Sequence, residues 1–313
     1  MQALSWKEVS SEGETALAVG NFDGVHLGHQ SLIKKALEFA EAKNLTPAVL
    51  TFHPHPLKVF KREKFLTLTP VEEKQRLIKL YGIQRVYLLK FDEELYNLSA
   101  REFVEEVLVG RLKCKALVVG ENFRFGRKRE GDVKLLQKLS RIYGFEFFAH
   151  PVIHINDMHI SSTRIRRFLR EGRVEEAARL LGRPYKLIGR VIKGQGRGKS
   201  LGFPTANLEC ENEVIPRNGV YACFAEVKGS LMKSVVNIGC TPTFGGEEIT
   251  IEAHIIGLNE DIYGNRVGLY FIKRLREERK FGSIEELKAA IKRDRDFGEE
   301  FLQWERFCVS SFC

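Results

Sequence analysis

The sequence has no apolar run near the ~20 residues that a helix needs to cross a membrane. Its first 13 residues carry charged side chains and no apolar core, so we expect no signal peptide and a cytoplasmic location. Six cysteines are present, but none forms a Cys-x-x-Cys pair, which argues against a disulfide framework and a thiolate zinc site. Internal repeats and low-complexity segments are also lacking.

What is present is typical of a globular protein, with 43% hydrophobic and 29% charged residues in a chain of 313. That length predicts about two domains, each with enough apolar material for a core. A net charge of +9 favours anionic partners. Nucleic acids and phosphorylated small molecules are both anionic, so charge alone leaves both classes open.

The first half is organised around the stretch Gly-Asn-Phe-Asp-Gly-Val-His-Leu-Gly-His, from Gly20 to His29. It follows a short apolar run, predicted to be a buried strand, and precedes apolar residues at helical spacing. Glycines let the backbone approach a ligand closely, and a helix N-terminus offers N–H groups to an anion. His26 and His29 lie three residues apart and can face one point at the helix start. We predict a polyphosphate site; the alternative is a tight turn whose histidines only cap the helix.

Strands and helices alternate through the rest of this half, with strands predicted at 48–52, 86–89, 116–119 and 145–152. This order predicts a doubly wound parallel sheet, whose strands end at a ligand crevice. Two loops follow such strand ends, His53-Pro54-His55-Pro56 and the loop from Gly120 to Arg127.

A third candidate loop, Ile-Ser-Ser-Thr-Arg-Ile-Arg, opens a basic helix. Ser161 and Ser162 are predicted to cap this helix, and Arg164 and Arg166 add cationic donors. Taken alone, the feature is more typical of a solvated basic helix. As the third loop of one chain that could hold phosphate, it favours an anion site.

The second half has a different pattern, after a predicted linker at Gly182-Arg183-Pro184. Apolar and polar residues mostly alternate in the segments 185–192, 220–227, 233–238, 249–255 and 267–271, with turn residues between them. Such alternation predicts an antiparallel β-domain, in the form of a small barrel. Ser283-Ile284-Glu285-Glu286 is a capping box that predicts a final helix.

This β-domain opens with a glycine-rich flap over residues 194–202, and Gly-Phe-Pro-Thr-Ala-Asn continues from its last glycine over 202–207. The flap's backbone N–H groups could cover phosphates, although a glycine-rich loop alone is also typical of a mobile hairpin. Thr205 and Asn207 carry oxygen side chains on the same predicted strand face, and such oxygens suit Mg²⁺. Glu252 and His254 share one face of a later strand, where Glu252 is either an exposed carboxylate or a base.

Several of these strings resemble known families. The Gly20–His29 stretch resembles the nucleotide-binding motif of nucleotidyltransferases in its bacterial FAD synthetase version. Ile-Ser-Ser-Thr-x-x-Arg is similar to another FAD synthetase signature. Gly-Phe-Pro-Thr-Ala-Asn and Asp-Ile-Tyr-Gly resemble riboflavin kinase motifs. Nearly the whole chain thus resembles the bacterial bifunctional riboflavin kinase and FAD synthetase, which implies an adenylyltransferase domain over 1–183 and a kinase domain over 184–313.

The resemblance also implies site residues. In the adenylyltransferase, ATP and its phosphates would bind at Gly20, Asn21, Phe22, Asp23, Gly24, Gly28, Ser161, Ser162, Thr163, Arg164 and Arg166. The flavin substrate would be positioned by His53, Pro54, Asn122, Phe123, Arg124 and Phe125. In the kinase, ATP would bind at Gly194, Gly196, Gly198, Lys199, Gly202 and Pro204.

The implied catalytic residues are His26 and His29 in the first domain and Glu252, as general base, in the second. Thr205 and Asn207 would hold Mg²⁺, ATP would be the co-substrate, and riboflavin, FMN and FAD would be substrates and products. Asp23 either orients its loop or contacts Mg²⁺. No nucleic-acid, membrane or obligatory protein partner is implied.

Two other functions remain as alternatives. His26, His29, His53 and His55 could bind zinc, although the prolines restrict two of them and no carboxylate or thiol joins them in sequence. The basic run from Arg164 to Arg170 and the net charge would suit a nucleic-acid-binding protein. That function leaves Thr205, Asn207 and Glu252 unexplained.

Overall fold

The computed structural model describes residues 2–61, 65–194, 198, 202–243, 246–279 and 281–302. The chain divides into two units, Met1–Ser161 and Ser162–Cys313. This division lies before the predicted domain boundary at residue 183, and the limits of the catalytic domains stay a prediction.

The first unit begins with a strand and a long helix. In chain order its elements are β1 (Thr15–Val19), α1 (Leu27–Lys43), β2 (Thr46–His53), α2 (Pro56–Lys61), α3 (Val71–Leu80), β3 (Arg85–Lys90), α4 (Glu93–Tyr96), α5 (Ala100–Glu102), a π-helical segment (Phe103–Arg111), β4 (Cys114–Gly120), a 3-10 turn (Arg127–Arg129), α6 (Val133–Tyr143), β5 (Glu146–His150), β6 (His154–Ile155) and β7 (Met158–His159).

Five of these strands form a parallel sheet in the order β3-β2-β1-β4-β5. The chain moves outward from β1 to β3 and then returns to β4 on the other side of β1. The sheet therefore has a topological switch point between β1 and β4, and ligands of such sheets bind at the carboxyl ends of the strands there. The predicted doubly wound sheet is confirmed.

The core lies on both faces of this sheet because successive strand residues point to opposite sides. Leu17 and Val19 pack in one cluster with Phe103 of the π-helical segment. Ala18, between them, packs in the other cluster with Ile33 of α1 and with apolar residues of α3. Strand β1 is buried along its whole length, and it fixes the position of the loop that follows it.

The second unit contains two helices, a barrel and a final helix. Its elements are α7 (Ser162–Arg170), α8 (Val174–Leu181), β8 (Tyr185–Ile192), β9 (Ala206–Cys210), β10 (Gly219–Val227), β11 (Ser230–Thr243), β12 (Gly246–Ile255), β13 (Arg266–Arg276) and α9 (Ile284–Phe301).

The six strands close into an antiparallel barrel in the order β10-β11-β12-β9-β8-β13, which confirms the predicted β-domain. Along β12, Ile251, Ala253 and Ile255 are buried, and the alternation of strand side chains turns Glu252 and His254 to the outer face. Helix α9 packs on the same outer face beside β11, where Gly298 lies against Val235.

Three local predictions differ from the structure. Helix α1 begins at Leu27, three residues before Gln30, where the apolar spacing predicts its start. The segment after His53 is not only a loop, because Pro56 opens the short helix α2. The string Thr69-Pro70-Val71-Glu72 predicts a helix with Thr69 as its cap and Pro70 as its first residue, but Pro70 occupies the N-cap position of α3 and no side-chain cap hydrogen bond is made there.

Candidate active sites

The loop Gly20–His26 leaves the carboxyl end of β1 at the switch point of the first sheet. Its backbone has positive φ angles at Phe22 (51°), Gly24 (84°) and Val25 (43°). Non-glycine residues rarely adopt such angles, and a backbone in this conformation persists only where the surrounding structure holds it. Here the side chains of Phe22 and Val25 are fully buried in the core, which holds the loop in one conformation.

The two histidines of this stretch lie together at the start of α1. His26 is the N-cap residue, and its Nδ1 accepts a hydrogen bond from the backbone N–H of His29 at 3.3 Å. The two rings are stacked with centroids 3.6 Å apart, and His26 is only 7% exposed. A Cβ on Gly28 would lie 3.2 Å from the His26 ring, so glycine gives that ring its room. The capping role considered for the histidines is thus correct for His26, and it aligns both rings at a helix N-terminus suited to anions.

Asp23 and Lys74 hold the same loop in place through hydrogen bonds. Asp23 Oδ1 accepts a hydrogen bond from Leu68 N–H at 2.8 Å, which supports the loop-orienting role for this carboxylate. The Lys74 ammonium, on α3, donates to Thr51 Oγ1 at 3.1 Å, Phe52 O at 3.2 Å and Asn21 O at 3.4 Å. No pattern in the sequence indicates that Lys74 is buried, because a lysine on an amphipathic helix is ordinarily exposed.

The loop after β2 divides its histidines between two environments. His53 is exposed, whereas His55 is buried, accepts a hydrogen bond from Leu57 N–H through Nδ1, and stacks on Phe65. Pro54 lies half-buried between them. His53 is therefore the histidine of this loop that faces solvent at the end of the sheet.

The loop after β4 lies on the other side of the switch point. Asn122 is exposed there, next to Gly120, while Phe125 is buried in the core and stacks on Phe123. Arg124 forms an ion pair with Asp132 at 3.1 Å. Of the predicted flavin-positioning residues in this loop, Asn122 and Arg124 are the exposed polar groups, and Arg124 is engaged in that ion pair.

An aromatic cluster near the ends of β2 and β3 is a further feature that sequence analysis missed. Phe60 is 61% exposed, and its ring centroid lies 5.5 Å from that of Tyr96 and 5.8 Å from that of Phe91. The three rings come from separate short segments, so no spacing in the sequence indicates that they meet. Such a cluster offers a surface on which a flat ring can stack.

The Ser161–Arg166 segment begins at the last residue of the first unit and continues along α7 of the second. Arg166 is 7% exposed, Ser162 and Arg164 are half-buried, and Thr163 is exposed. The helix starts at Ser162, and Ser161 directly precedes it. The phosphate-binding role of these residues stays a prediction.

The second candidate site lies on the outer face of the barrel. Asn207 of β9 is paired directly with Glu252 of β12, and Asn237 of β11 is paired with Glu252 on its other side. Directly opposed residues of adjacent strands point to the same face, so the three side chains form one row. Thr205 lies two residues before Asn207, just outside the start of β9.

Two flap glycines lie against the predicted metal ligands. A Cβ on Gly194 would collide with the Asn207 carboxamide, and a Cβ on Gly198 would lie 2.8 Å from Thr205 Oγ1. Gly202 has a positive φ of 88°, and Pro204 is exposed. Gly196 and Lys199, the other predicted flap contacts, lie outside the described residues.

His254 contacts Phe203 and Pro204, which lie between the flap and strand β9. Its Nδ1 lies 2.8 Å from Pro204 O, and since a carbonyl only accepts, this nitrogen is the donor. The His254 ring meets Phe203 edge-on, and Arg295 of α9 lies over the same phenyl ring at 5.6 Å. His254 thus holds the backbone before Thr205, which is a supporting role.

The described ranges contain no group of three His, Cys, Asp or Glu side chains able to hold a metal ion. All four histidines of the zinc hypothesis are among the described residues, so that hypothesis gains no support. In the same part of the chain, no helix is both long enough and apolar enough to cross a membrane.

Comparisons with known proteins identify a family for each half of the chain. The FAD synthetase family model matches residues 8–164, and the riboflavin kinase family model matches residues 181–302. The chain is 39% identical over 290 residues to the bifunctional riboflavin kinase/FMN adenylyltransferase of Escherichia coli (strain K12), covering 91% of this chain and 92% of that protein. The Bacillus subtilis (strain 168) protein of the same description is 40% identical over 291 residues, covering 91% of each chain.

A solved structure has the same fold along the chain. The crystal structure of a macrolide-efflux protein from Streptococcus pneumoniae superposes with a TM-score of 0.86 at 31% identity, covering 94% of this chain and 97% of that one. Because both family models match in order and the identity to these relatives extends over nine-tenths of the sequence, the chain belongs to the family of bifunctional riboflavin kinases/FMN adenylyltransferases.

Proposed function

We propose that the barrel phosphorylates riboflavin to FMN with ATP through Glu252 as general base. The carboxylate accepts the proton of the ribityl hydroxyl while the hydroxyl oxygen bonds to the γ-phosphorus of ATP. The bond from that phosphorus to the β-phosphate oxygen breaks, and its electron pair leaves with ADP. The observation that carries this proposal is the direct cross-strand pairing of Glu252 with Asn207, the candidate metal ligand.

Thr205 and Asn207 are the residues that would hold Mg²⁺. Both offer neutral oxygen donors of the hard kind that Mg²⁺ accepts, and the ion usually keeps several waters besides. Gly194 and Gly198 lie against these two side chains at positions where a Cβ would intrude, so the residues fit the ion. When bound, Mg²⁺ supplies positive charge to the ATP phosphates.

The adenylyltransferase step needs no general base. An oxygen of the FMN phosphate, which is largely dianionic at pH 7 because its second pKa is about 6, attacks the α-phosphorus of ATP. A phosphoanhydride bond forms as the bond to the leaving pyrophosphate breaks. The work left to the protein is to hold two anions together and to stabilise the developing charge.

The residues proposed for the adenylyltransferase reaction divide this work. The stacked rings of His26 and His29 and the N-terminus of α1 would hold ATP phosphates. Ser161, Ser162, Thr163, Arg164 and Arg166 would stabilise the pyrophosphate through hydroxyl and guanidinium donors. Asn122 and His53, exposed at the ends of β4 and β2, would position FMN, and the cluster of Phe60, Phe91 and Tyr96 would stack against its flat ring.

We propose a cytoplasmic location and small-molecule partners only. The basic run of α7 carries less available charge than its sequence indicates. Arg166 is buried, and Arg167 lies 3.7 Å from the Glu171 carboxylate. Tight, salt-dependent RNA binding in the absence of flavin binding would instead favour the nucleic-acid function.

A single incubation tests the proposed function. The purified chain is mixed with riboflavin, ATP and MgCl₂, and the flavins are separated by chromatography over time. We expect FMN to appear first and FAD to follow, and we expect neither in a parallel sample with excess EDTA. FMN supplied in place of riboflavin should give FAD directly. Failure to form either product with Mg²⁺ present would overturn the proposal.

A further inference from the structure

Lys74 is a buried cation that the two proposed reactions do not use. It lies on α3, its side chain is 7% exposed, and its ammonium donates to Thr51 Oγ1, Phe52 O and Asn21 O. Burying an ammonium costs free energy unless its donors are paired, and here three acceptors surround it. A methionine would fill a similar volume without that cost, so packing alone gives no reason for a charge at this position.

The acceptors of Lys74 belong to strand β2 and to the loop Gly20–His26, which is the candidate phosphate loop. Thr51 and Phe52 lie near the carboxyl end of β2, and Asn21 is the second residue of the loop after β1. Thr51 Oγ1 also donates to Asn21 O at 3.0 Å, so the lysine and the threonine together join the loop to β2. The ammonium therefore lies directly behind the backbone that leads to His26.

One carboxylate faces this ammonium. Asp23, on the same loop, raises the pKa of Lys74, but desolvation by burial is the larger effect and lowers that pKa from 10.5 to about 8. Strand β2 contributes only uncharged acceptors, and Glu73, next to Lys74 on α3, is paired with Arg76 at 2.8 Å. Lys74 is thus charged at neutral pH and becomes neutral in mildly alkaline solution.

We propose that Lys74 is a positioning residue for adenylyl transfer: its buried ammonium holds Asn21, and through it the loop bearing His26 and His29, in the geometry that receives the ATP phosphates. The inference rests on the proposed polyphosphate role of this loop. The same ammonium places a fixed positive charge behind the loop, where a low dielectric makes it felt by a bound anion. Its effect is expected on ATP binding and on the rate of FMN adenylylation, and not on the kinase reaction.

The test compares Lys74→Met with Lys79→Met, the same change at an exposed lysine of the same helix. We expect Lys74→Met to lower kcat/KM for FMN adenylylation by about 100-fold, the loss that a displaced binding group can cause, with a higher KM for ATP. Riboflavin phosphorylation by the same preparation should stay within twofold of wild type, as should both activities of Lys79→Met. Adenylylation by Lys74→Met at the wild-type rate would overturn the proposal.

A pH series on the wild-type chain separates a positioning charge from a purely structural one. As Lys74 loses its proton, the KM for ATP in adenylylation should rise between pH 7 and 9.5, while the KM for ATP in the kinase reaction should not follow it. Lys74→Met should lack this rise, and a pH-independent wild-type KM would refute the charge role even if the variant fails to fold. If the wild-type chain makes no FAD from FMN, the proposed function fails; if it does and Lys74→Met equals it, only this inference fails.

Discussion

Asn207 and Glu252 lie directly opposite each other on neighbouring antiparallel strands of the barrel. Side chains in this relation have Cβ atoms about 4.5–5.5 Å apart and point to the same face. The candidate metal ligand and the candidate base are therefore fixed by strand register, with no loop between them. A shift of β9 by one residue would turn Asn207 into the barrel and separate the pair.

Replacing Glu252 by glutamine should separate the two activities. The amide keeps the shape of the side chain but cannot accept the proton of the riboflavin hydroxyl, so the kinase rate should fall by about 10²–10⁴-fold. Adenylylation of supplied FMN should continue near the wild-type rate because the FMN phosphate is already ionised. Flavin chromatography with riboflavin or FMN as substrate measures both. Glu209→Gln, at an exposed glutamate of β9, is the control. If Glu252→Gln phosphorylates riboflavin as fast as this control, Glu252 is not the general base.

The Gly194→Ala variant tests the fit between flap and strand. A methyl group there would collide with the Asn207 carboxamide, so Asn207 or the flap must move. We expect kinase activity to fall at least about tenfold, since a displacement near 1 Å can cost 10²-fold, and the Mg²⁺ concentration for half-maximal rate to rise. In Gly282→Ala the added methyl meets only ordinary contacts, the nearest at 3.6 Å, and both values should stay at those of wild type. Unchanged Mg²⁺ dependence in Gly194→Ala would separate Asn207 from the metal.

Much of this kinase site could be predicted from the sequence, but the register between strands β9 and β12 could not. Alternation along residues 250–255 correctly gives Glu252 and His254 a common face, because strand periodicity is a local property. Which residue lies opposite Glu252 depends on how β9 and β12, some 45 residues apart, align through the connections between them. The supporting role of His254 likewise depends on a contact with Pro204, 50 residues away, and no local pattern encodes it.

In the first site, too, local features could be predicted from the sequence and tertiary contacts could not. Glycines, histidines and the preceding apolar run locate the loop after β1, and the alternation of elements predicts the parallel sheet. The sequence cannot show that Lys74 is buried, because the helical spacing of α3 is satisfied by its apolar residues and lysine is ordinarily a surface residue. The cluster of Phe60, Phe91 and Tyr96 was missed for the related reason that tertiary packing alone brings its members together.

Replacing His29 by alanine should strongly lower the rate of FAD formation from FMN and leave the kinase reaction nearly intact. The change removes one of two stacked rings at the N-terminus of α1, and loss of one preorganised group at a developing charge typically costs about 10²–10³-fold. Both reactions are followed by flavin chromatography on one preparation. His154→Ala, at an exposed histidine of the same unit, is the control. Equal loss of both activities in His29→Ala would show that the sites are not separate.

The buried Lys74 should also make the stability of the first unit depend on pH. Its folded pKa of about 8 lies below the ordinary value of 10.5, so folding disfavours the ammonium. The cost is complete below pH 8, where folded and unfolded chains are both protonated, and it disappears as pH rises through 10.5. At 1.36 kcal/mol per pKa unit the full cost is about 3 kcal/mol, of which about 2 kcal/mol should be recovered between pH 7.5 and 9.5.

Denaturant unfolding of wild type and Lys74→Met measures this difference. In a Trp304→Phe background, fluorescence from the buried Trp6 reports on the first unit alone. The free energy of unfolding of wild type, minus that of Lys74→Met, should increase by about 2 kcal/mol over this pH range. The free energy of unfolding of wild type, minus that of Lys79→Met, should stay constant over the same pH range, because that lysine is exposed to solvent. A flat difference for Lys74→Met would mean that the ammonium is not desolvated in solution, and the charge behind the phosphate loop would then be screened by water.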